Sequence, residues 1–220
     1  MHDDNRDHLP AEAPTLPTTP ATSPPLPPGG VFSGPEMFEY GQRAARLLAA
    51  SSLLPAAFKG NVADCFILLE IAARIGASPL AVAQNLHIIK GRPSWSAQFA
   101  ISLINSCGRY TPLRYDLAGD GDNRQCIAWA IERASGERVE GPPVSIAMAK
   151  AEGWFSKPES KWKTMPELML RYRAAAFFCR VNLPEFMLGM KTVEELHDIG
   201  ADQGSQAAAV EALLVDEVDQ

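Results

Sequence analysis

The stretch from residue 153 to residue 189 reads GWFSKPESKWKTMPELMLRYRAAAFFCRVNLPEFMLG, and it decides the fold. A basic loop with aromatic residues leads here into a long apolar segment that carries three arginines. A proline is tolerated in the first turn of a helix, whereas Pro184 ends one, so the pattern predicts a helix that runs to about Asn182. Thr164 and Glu167 have the spacing of a capping box at the start of this helix.

The apolar side chains of this predicted helix cover more than one of its faces. We therefore expect the helix to be buried on more than one side, by this domain or by a neighbouring copy. Arg171 lies four residues from Glu167, and an i,i+4 ion pair between them is one interpretation. Arg173 and Arg180 lie together at the opposite flank of the apolar stripe. We expect them to point into a groove that binds a polyanion; the alternative is a structural ion pair.

Charge is distributed unevenly along the chain, so that the net charge of −6 hides a basic middle. Residues 86–191 hold fifteen basic and ten acidic residues, whereas residues 192–220 hold eight acidic residues and no basic one. Between Lys157 and Arg180 there are six Lys or Arg and two Glu, close to several aromatic residues. Cations beside flat rings are typical of surfaces that bind single-stranded nucleic acid. The plainer interpretation of the loop 157–163 is a solvated surface loop.

The rest of the chain predicts an α+β protein in which a small antiparallel sheet and hairpins pack with helices. The strands are expected at 85–89, 110–117, 125–132 and 137–140, with a turn at Lys90 and Gly91. Proline-rich composition predicts a disordered leader over 1–34, the folded domain is expected over 35–197, and 198–220 reads as an acidic flexible tail.

Several classes of protein lack support in this sequence. No apolar run is long enough for a membrane span, and the polar N-terminus does not resemble a secretory signal, so we expect a cytoplasmic protein. No phosphate-binding loop, catalytic triad or carboxylate constellation occurs, which predicts a protein that is not an enzyme and needs no cofactor or metal.

The loop GDGDN at 119–123 favours a turn over a calcium site. The four widely spaced cysteines indicate reduced core residues, rather than a metal site or disulfides: Cys65, Cys107, Cys126 and Cys179.

Three blocks of the chain resemble the RecT family of phage single-strand annealing recombinases. They are NLHIIKGRPSWSAQFAISLINSCGRYTPLRYD (85–116), CIAWAIERASGERVEGPPVSIAMAKAEGW (126–154) and SKWKTMPELMLRYRAAAFFCRVNLPEFMLGMKTVEEL (160–196). The resemblance implies a RecT/Red beta-like annealing fold over about 35–197. It also implies ATP-independent binding of single-stranded DNA and annealing of complementary strands in homologous recombination, by a ring or helical filament of identical subunits.

The resemblance implies site residues and partners as well. The ring of Trp162 is expected either to stack on bases or to pack in the protein, and Trp95 is expected to belong to the core. Besides single-stranded DNA and the annealed duplex, the family implies a partner exonuclease in a phage or prophage setting. A host single-strand binding protein is a further family partner, recruited through a longer C-terminal region than 198–220. The cations carried over as DNA contacts are Lys161, Lys163, Arg171, Arg173 and Arg180, followed by Lys90, Arg92, Arg109 and Arg114.

Two other functions remain open from the sequence. The sequence is also compatible with an oligomeric adaptor or structural protein without DNA activity, or with an accessory subunit of a nuclease. A further hypothesis concerns the acidic residues of 192–220, which would compete with DNA for the groove. Deletion of 200–220 is then expected to raise the affinity for single strands.

Overall fold

The computed structural model describes residues 29–89 and 91–199, which form a mixed α+β fold. Of the predicted leader over 1–34 and tail over 198–220, residues 1–28 and 200–220 lie outside the described residues, as does the turn residue Lys90. Residues 29–34 precede α1, and Val31 among them is buried. The helices are α1 Pro35–Ala49, α2 Val62–Ile75, α3 Pro79–Asn85, α4 Ala97–Ser106, α5 Ile146–Ala151, α6 Lys161–Thr164, α7 Pro166–Asn182, α8 Pro184–Met187 and α9 Val193–Ile199. The strands are β1 Leu86–Ile89, β2 Arg92–Trp95, β3 Arg114–Ala118, β4 Gln125–Ile131, β5 Arg138–Glu140, β6 Val144–Ser145 and β7 Lys191–Thr192.

The strands form two small sheets. In the larger one β4 pairs antiparallel with β3, β5 and β6, and its side chains alternate between a buried face and a half-buried face. In the smaller one β1 and β2 form the predicted antiparallel hairpin, but β7 pairs parallel with β2, so that Lys191 lies opposite Ser94. The prediction of a purely antiparallel arrangement is therefore wrong for this sheet, because β7 joins it from the far end of the domain.

Helix α7 is the central element of the core, as the opening stretch predicted. It packs against α4 on one side and across β4 on another. Its buried side chains include Leu170, Ala175 and Ala176, which are at most 1% exposed and lie on different faces of the helix. The expectation of burial on more than one side is thus met within a single chain.

The start of α7 differs from the predicted capping box. Pro166 occupies the first helical position, and the residue before a proline is kept out of helical geometry. Met165 is therefore the N-cap residue, and Thr164 ends α6 without capping α7. Glu167 bonds instead to Arg124 at 2.5 Å, and the side chain of that arginine comes from the turn before β4.

A capping box does form at the start of α9. The backbone N–H of Thr192 donates to Glu195 Oε2 at 2.9 Å, and the backbone N–H of Glu195 donates to Thr192 Oγ1 at 3.3 Å. Each side chain satisfies a backbone donor of the other residue, which fixes where this short helix begins. This box therefore holds α9 next to the end of α7.

Other elements follow their sequence signals. Residues 121–123 form a single 3-10 turn, and the expected turn thus replaces a calcium loop in this part of the chain. The cysteines are free thiols, of which Cys65, Cys126 and Cys179 are buried, as expected for core residues. Among the described residues no single helix has both the length and the hydropathy of a membrane span, and the α2–α3 pair meets that test only across a 109° bend.

Candidate nucleic-acid interface

The arginine that the sequence placed in a DNA groove, Arg173, is buried in ion pairs. Only 4% of its side chain is exposed, and its guanidinium group bonds to Asp198 and, at 3.4 Å, to Glu195. Its flat face also lies 4.0 Å from the ring centre of Trp154. A cation that is enclosed by two carboxylates and a ring has no access to a phosphate, so the groove interpretation of Arg173 is wrong and the structural ion pair is confirmed.

Trp162 belongs to the same buried group. Its ring has no exposed surface, lies 5.2 Å from the ring of Trp154, and donates from Nε1 to Asp198 at 2.9 Å. The packing interpretation of Trp162 is therefore correct, because stacking on a base requires an exposed face. Trp95 is buried as well, as expected. We refer to Trp154, Trp162, Arg173, Glu195 and Asp198 as the Arg173 cluster.

The other two arginines of α7 are closer to the surface, but both are paired. Arg180 bonds to Glu195 at 2.5 Å, and 44% of its side chain stays exposed. Arg171 lies 3.7 Å from Glu167, which confirms that predicted pair. The bond from Arg124 is the shorter one to Glu167 and is the main cause that lowers the pKa of this carboxyl group. Arg180 is therefore paired with a buried carboxylate, whereas Arg171 shares Glu167 with Arg124, so that these three groups keep a net positive charge.

The remaining predicted cations do not meet in one place. Arg109 is exposed and pairs with Glu132 at 3.2 Å and with Glu185 at 3.8 Å. Arg114 is exposed on β3, opposite Trp129 on the half-buried face of the larger sheet. Arg109 lies at the end of α7 that is far from α6, since it contacts the last turn of this helix at the carbonyl of Asn182. Lys161 and Lys163 are exposed on α6, before the first turn of α7.

Helix α9 explains why some cations are neutralised and others are not. All three of its carboxylates point into the protein: Glu195 and Asp198 serve the Arg173 cluster, and Glu194 accepts from the backbone N–H of Ala97 at 3.1 Å, where α4 begins. A carboxylate at a helix N-terminus is favoured by the helix dipole. The acidic section 192–220 thus begins with three acidic residues whose carboxylates bond to other elements of the fold.

A basic groove lies on one side of α9. Its volume is ≈ 270 Å³, and it runs between the β1–β2 hairpin and the turn that leads into β7. Arg92 and Lys191 border it, and Leu196 of α9 forms part of its wall. We refer to it as the β2–β7 groove, which is lined by Arg92, Pro93, Ser94, Leu188, Gly189, Met190, Lys191 and Leu196.

One lysine of the basic loop contacts the end of α9, and two more follow on α6. Lys157 donates from Nζ to the carbonyl of His197 at 2.8 Å, and Lys163 reaches the carbonyl of Lys157 at 3.4 Å. Lys161 makes no ion pair with any described residue. Since Leu196 lines the groove and His197 holds Lys157, α9 joins the β2–β7 groove to the basic loop. Of the carried-over contacts, Arg92, Lys161 and Lys163 belong to this combined surface.

The sequence missed Lys191 and did not single out Lys157 as a contact. Lys191 is the last basic residue before the acidic section, and that was the one signal it offered. Its position beside Arg92 depends on the parallel pairing of β7 with β2, which joins residues almost a hundred positions apart. Such a long-range pairing leaves no local pattern in the sequence.

Two of the buried cysteines are poorly suited to act as nucleophiles. Burial raises the pKa of the Cys179 thiol to about 12 and that of Cys126 to about 11, so both are neutral and poor nucleophiles near neutral pH. Within residues 29–89 and 91–199, no group of three His, Cys, Asp or Glu side chains has the arrangement of a metal site. The combined surface carries separated positive charges along a groove whose lining is partly apolar.

No family model, curated protein or solved structure matches this chain.

Proposed function

We propose that this protein binds single-stranded DNA in the β2–β7 groove and on the adjoining α6 loop, and that it anneals complementary strands without ATP. The observation that carries this proposal is the concentration of basic side chains at the border of the β2–β7 groove and on the adjoining α6 loop. Arg92 and Lys191 border one side, and Lys157, Lys161 and Lys163 follow on the other. The resemblance of three sequence blocks to the RecT family supports the same function and a RecT/Red beta-like fold.

The mechanism rests on charge and on complementarity between the strands. Lysine and arginine side chains neutralise phosphates along one strand, and the release of counterions favours binding. A protein that holds only the backbone leaves the base edges open, so a second strand is selected by Watson–Crick pairing itself. Duplex formation is downhill, and no ATP is needed. The proposal therefore concerns a binding and annealing protein and no catalytic site.

The proposal extends to assembly and setting. Annealing over a length of DNA requires several grooves in series, which a ring or helical filament of identical subunits supplies. We propose that this chain acts as such a homo-oligomer in homologous recombination, as a phage or prophage protein in the bacterial cytoplasm. A partner exonuclease would supply the single strand.

An annealing and binding assay without ATP tests the proposal. We expect Arg92→Ala/Lys191→Ala to lose affinity for a labelled oligonucleotide. The slope of log K against log salt should become shallower by about 1.4, since each lost phosphate contact on single strands contributes about 0.7. The control is Arg43→Ala/Lys59→Ala, which removes two exposed cations outside the combined surface.

The possible outcomes distinguish a wrong assignment of the site from a wrong function. If the groove variant and the control bind and anneal alike, the assignment of the groove is wrong. If the unmodified chain neither binds nor anneals oligonucleotides at low salt, the function itself is wrong and the adaptor hypothesis gains weight.

A further inference from the structure

A groove between α1 and α2 has an apolar lining that no described residue covers. Its volume is ≈ 570 Å³. Three of its side chains are unusually exposed for their size: Phe32 at 57%, Phe38 at 41% and Ile67 at 50%. Clustered exposed apolar surface of this kind marks a binding site. We refer to it as the α1–α2 groove, whose lining includes Phe32, Phe38, Arg46, Val62, Phe66 and Ile67.

The walls of this groove are built by specific contacts. The ring of Phe66 lies edge-on to Phe32 and Phe38, with ring centres 5.3 Å and 5.1 Å away. Gly41 allows this approach, because a Cβ atom there would come within 2.8 Å of the Phe66 ring. Glu70 fixes the segment before α1 by accepting from the backbone N–H of Val31 at 3.1 Å. The groove therefore has a formed shape before any occupant binds.

The charge of the groove restricts what can occupy it. Arg46 is the one charged residue in its lining, is exposed, and makes no ion pair with any described residue. A two-fold contact through this groove would place two Arg46 side chains in one interface, with no acidic residue in the lining to compensate them. An occupant that combines aliphatic side chains with negative charge fits better.

The sequence contains such a segment at residues 207–218, AAAVEALLVDEV. Val210, Leu213, Leu214 and Val218 follow the i, i+3, i+4, i+8 spacing of one helix face. Residues 200–220 carry five acidic residues and no basic one. An amphipathic segment that lays its apolar face in a hydrophobic groove is a common mode of recognition.

The segment is close enough to reach the groove. Helix α9, which ends at Ile199, contacts β1; β1 follows α3 directly, and α3 packs on α2. Ten residues separate Ile199 from Val210, and they span up to about 33 Å when extended. The radius of gyration of a domain of this size is about 15 Å. The linker can therefore cover most of the width of the domain, which is about 40 Å for this radius of gyration.

We propose that residues 210–218 bind in the α1–α2 groove of their own chain. Their aliphatic side chains cover Phe32, Phe38 and Ile67, and their carboxylates face Arg46. The inference goes beyond the proposed function and does not depend on it. It also gives the acidic residues beyond 200 a binding place other than the basic groove.

Disulfide trapping in the full chain tests the contact directly. We expect Ile67→Cys/Leu213→Cys to form an intramolecular disulfide under mild oxidation, at a rate about tenfold or more above a control pair, because binding raises the effective concentration of the two thiols. The control is Val181→Cys/Leu213→Cys, since Val181 is 61% exposed on α7. Peptide mass spectrometry identifies the linked residues. Equal rates, or disulfides mainly between chains, would overturn the proposal.

A second measurement does not depend on new cysteines. Leu214→Asp should uncover the groove and raise the fluorescence of an apolar dye several-fold, and Arg46→Glu should do the same by repelling the segment. Val215→Asp is the matched control, because it adds the same charge one residue away from the apolar spacing. If Leu214→Asp leaves dye binding at the level of Val215→Asp, the groove is not covered by this segment. Neither experiment contains DNA, so failure here says nothing against annealing.

Discussion

The Arg173 cluster and the β2–β7 groove lie on either side of α9, and both contain cations that the sequence presents as basic. In the cluster, Arg173 is enclosed by two carboxylates of α9 and by the Trp154 ring. In the groove, Arg92 and Lys191 border open space beside Leu196, an apolar residue of the same helix. The alternation of side chains around α9 thus turns two carboxylates towards Arg173 and an apolar residue towards the groove.

Removal of the buried Arg173 side chain is expected to have the largest effect on stability. Arg173→Ala leaves Asp198 buried without its charged partner and Glu195 with Arg180 alone. Breaking a buried ion pair from one side costs about 3–5 kcal/mol. We expect a large loss in the free energy of unfolding, measured by urea denaturation. Loss of DNA binding in this variant would then report unfolding and not a lost phosphate contact.

Arg171→Ala is the matched control on the same helix. Its pair with Glu167 is partly exposed, and such i,i+4 pairs contribute about 0.3–0.5 kcal/mol. If Arg173→Ala were as mild as Arg171→Ala, the cluster would not be the structural centre that its burial indicates.

The second largest expected effect is a loss of stability at alkaline pH. The pKa values of Cys126 and Cys179 are raised by burial from about 9 to about 11 and about 12. Below about pH 9 both thiols are protonated in the folded and the unfolded state, so their contribution is fully present. Between about pH 9 and pH 12 the unfolded chain binds fewer protons, and stability falls as pH rises.

Urea midpoints at several alkaline pH values measure this decline. Cys179→Ala should make it shallower, because one of the shifted groups is gone. Cys107→Ala is the control, since Cys107 is only partly buried. A decline of equal slope in both variants would contradict the assignment to the buried thiols.

Much of the fold could be predicted because its signals are local. The β1–β2 hairpin, the strand β4, the helix α7 and the Thr192–Glu195 capping box follow from turn residues, alternation, helical spacing and caps. The site could be predicted only in part. Helical angles placed Arg173 and Arg180 at the edge of an apolar face correctly. They did not show that α9, some twenty residues further on, turns Glu195 and Asp198 towards them.

The predictions that succeeded thus depend on residues that are close in the sequence, and those that failed depend on residues that are far apart in it. A buried ion pair and a surface groove look alike within one helix, because both need arginine next to apolar residues. The partner that distinguishes them is brought by tertiary structure. Lys191 was missed for the same reason, since only the pairing of β7 with β2 brings it to Arg92.

A substitution with a smaller expected effect on stability tests whether the capping box holds α9 in place. Thr192→Ala removes the side-chain acceptor for the backbone N–H of Glu195, and the loss of such a cap costs about 1 kcal/mol. We expect a modest loss of stability by urea denaturation. Thr111→Ala, which removes a single hydroxyl contact to Ile131 in the larger sheet, is a control for the general effect of losing one hydrogen bond. Thr192→Ala should also speed amide hydrogen exchange in α9, and Thr111→Ala should not.

The smallest expected effect on stability belongs to the groove itself. Surface substitutions that break no buried contact usually change the free energy of unfolding by less than about 0.5 kcal/mol. We therefore expect Arg92→Ala/Lys191→Ala to unfold at nearly the same urea concentration as the unmodified chain, while its salt-dependent affinity for single strands falls. The contrast with Arg173→Ala is the sharpest form of the comparison: one arginine is needed to fold, and the other two cations can be removed without loss of the fold. A groove variant as unstable as Arg173→Ala would show that these cations also serve the structure, and its loss of binding would then no longer identify a DNA site.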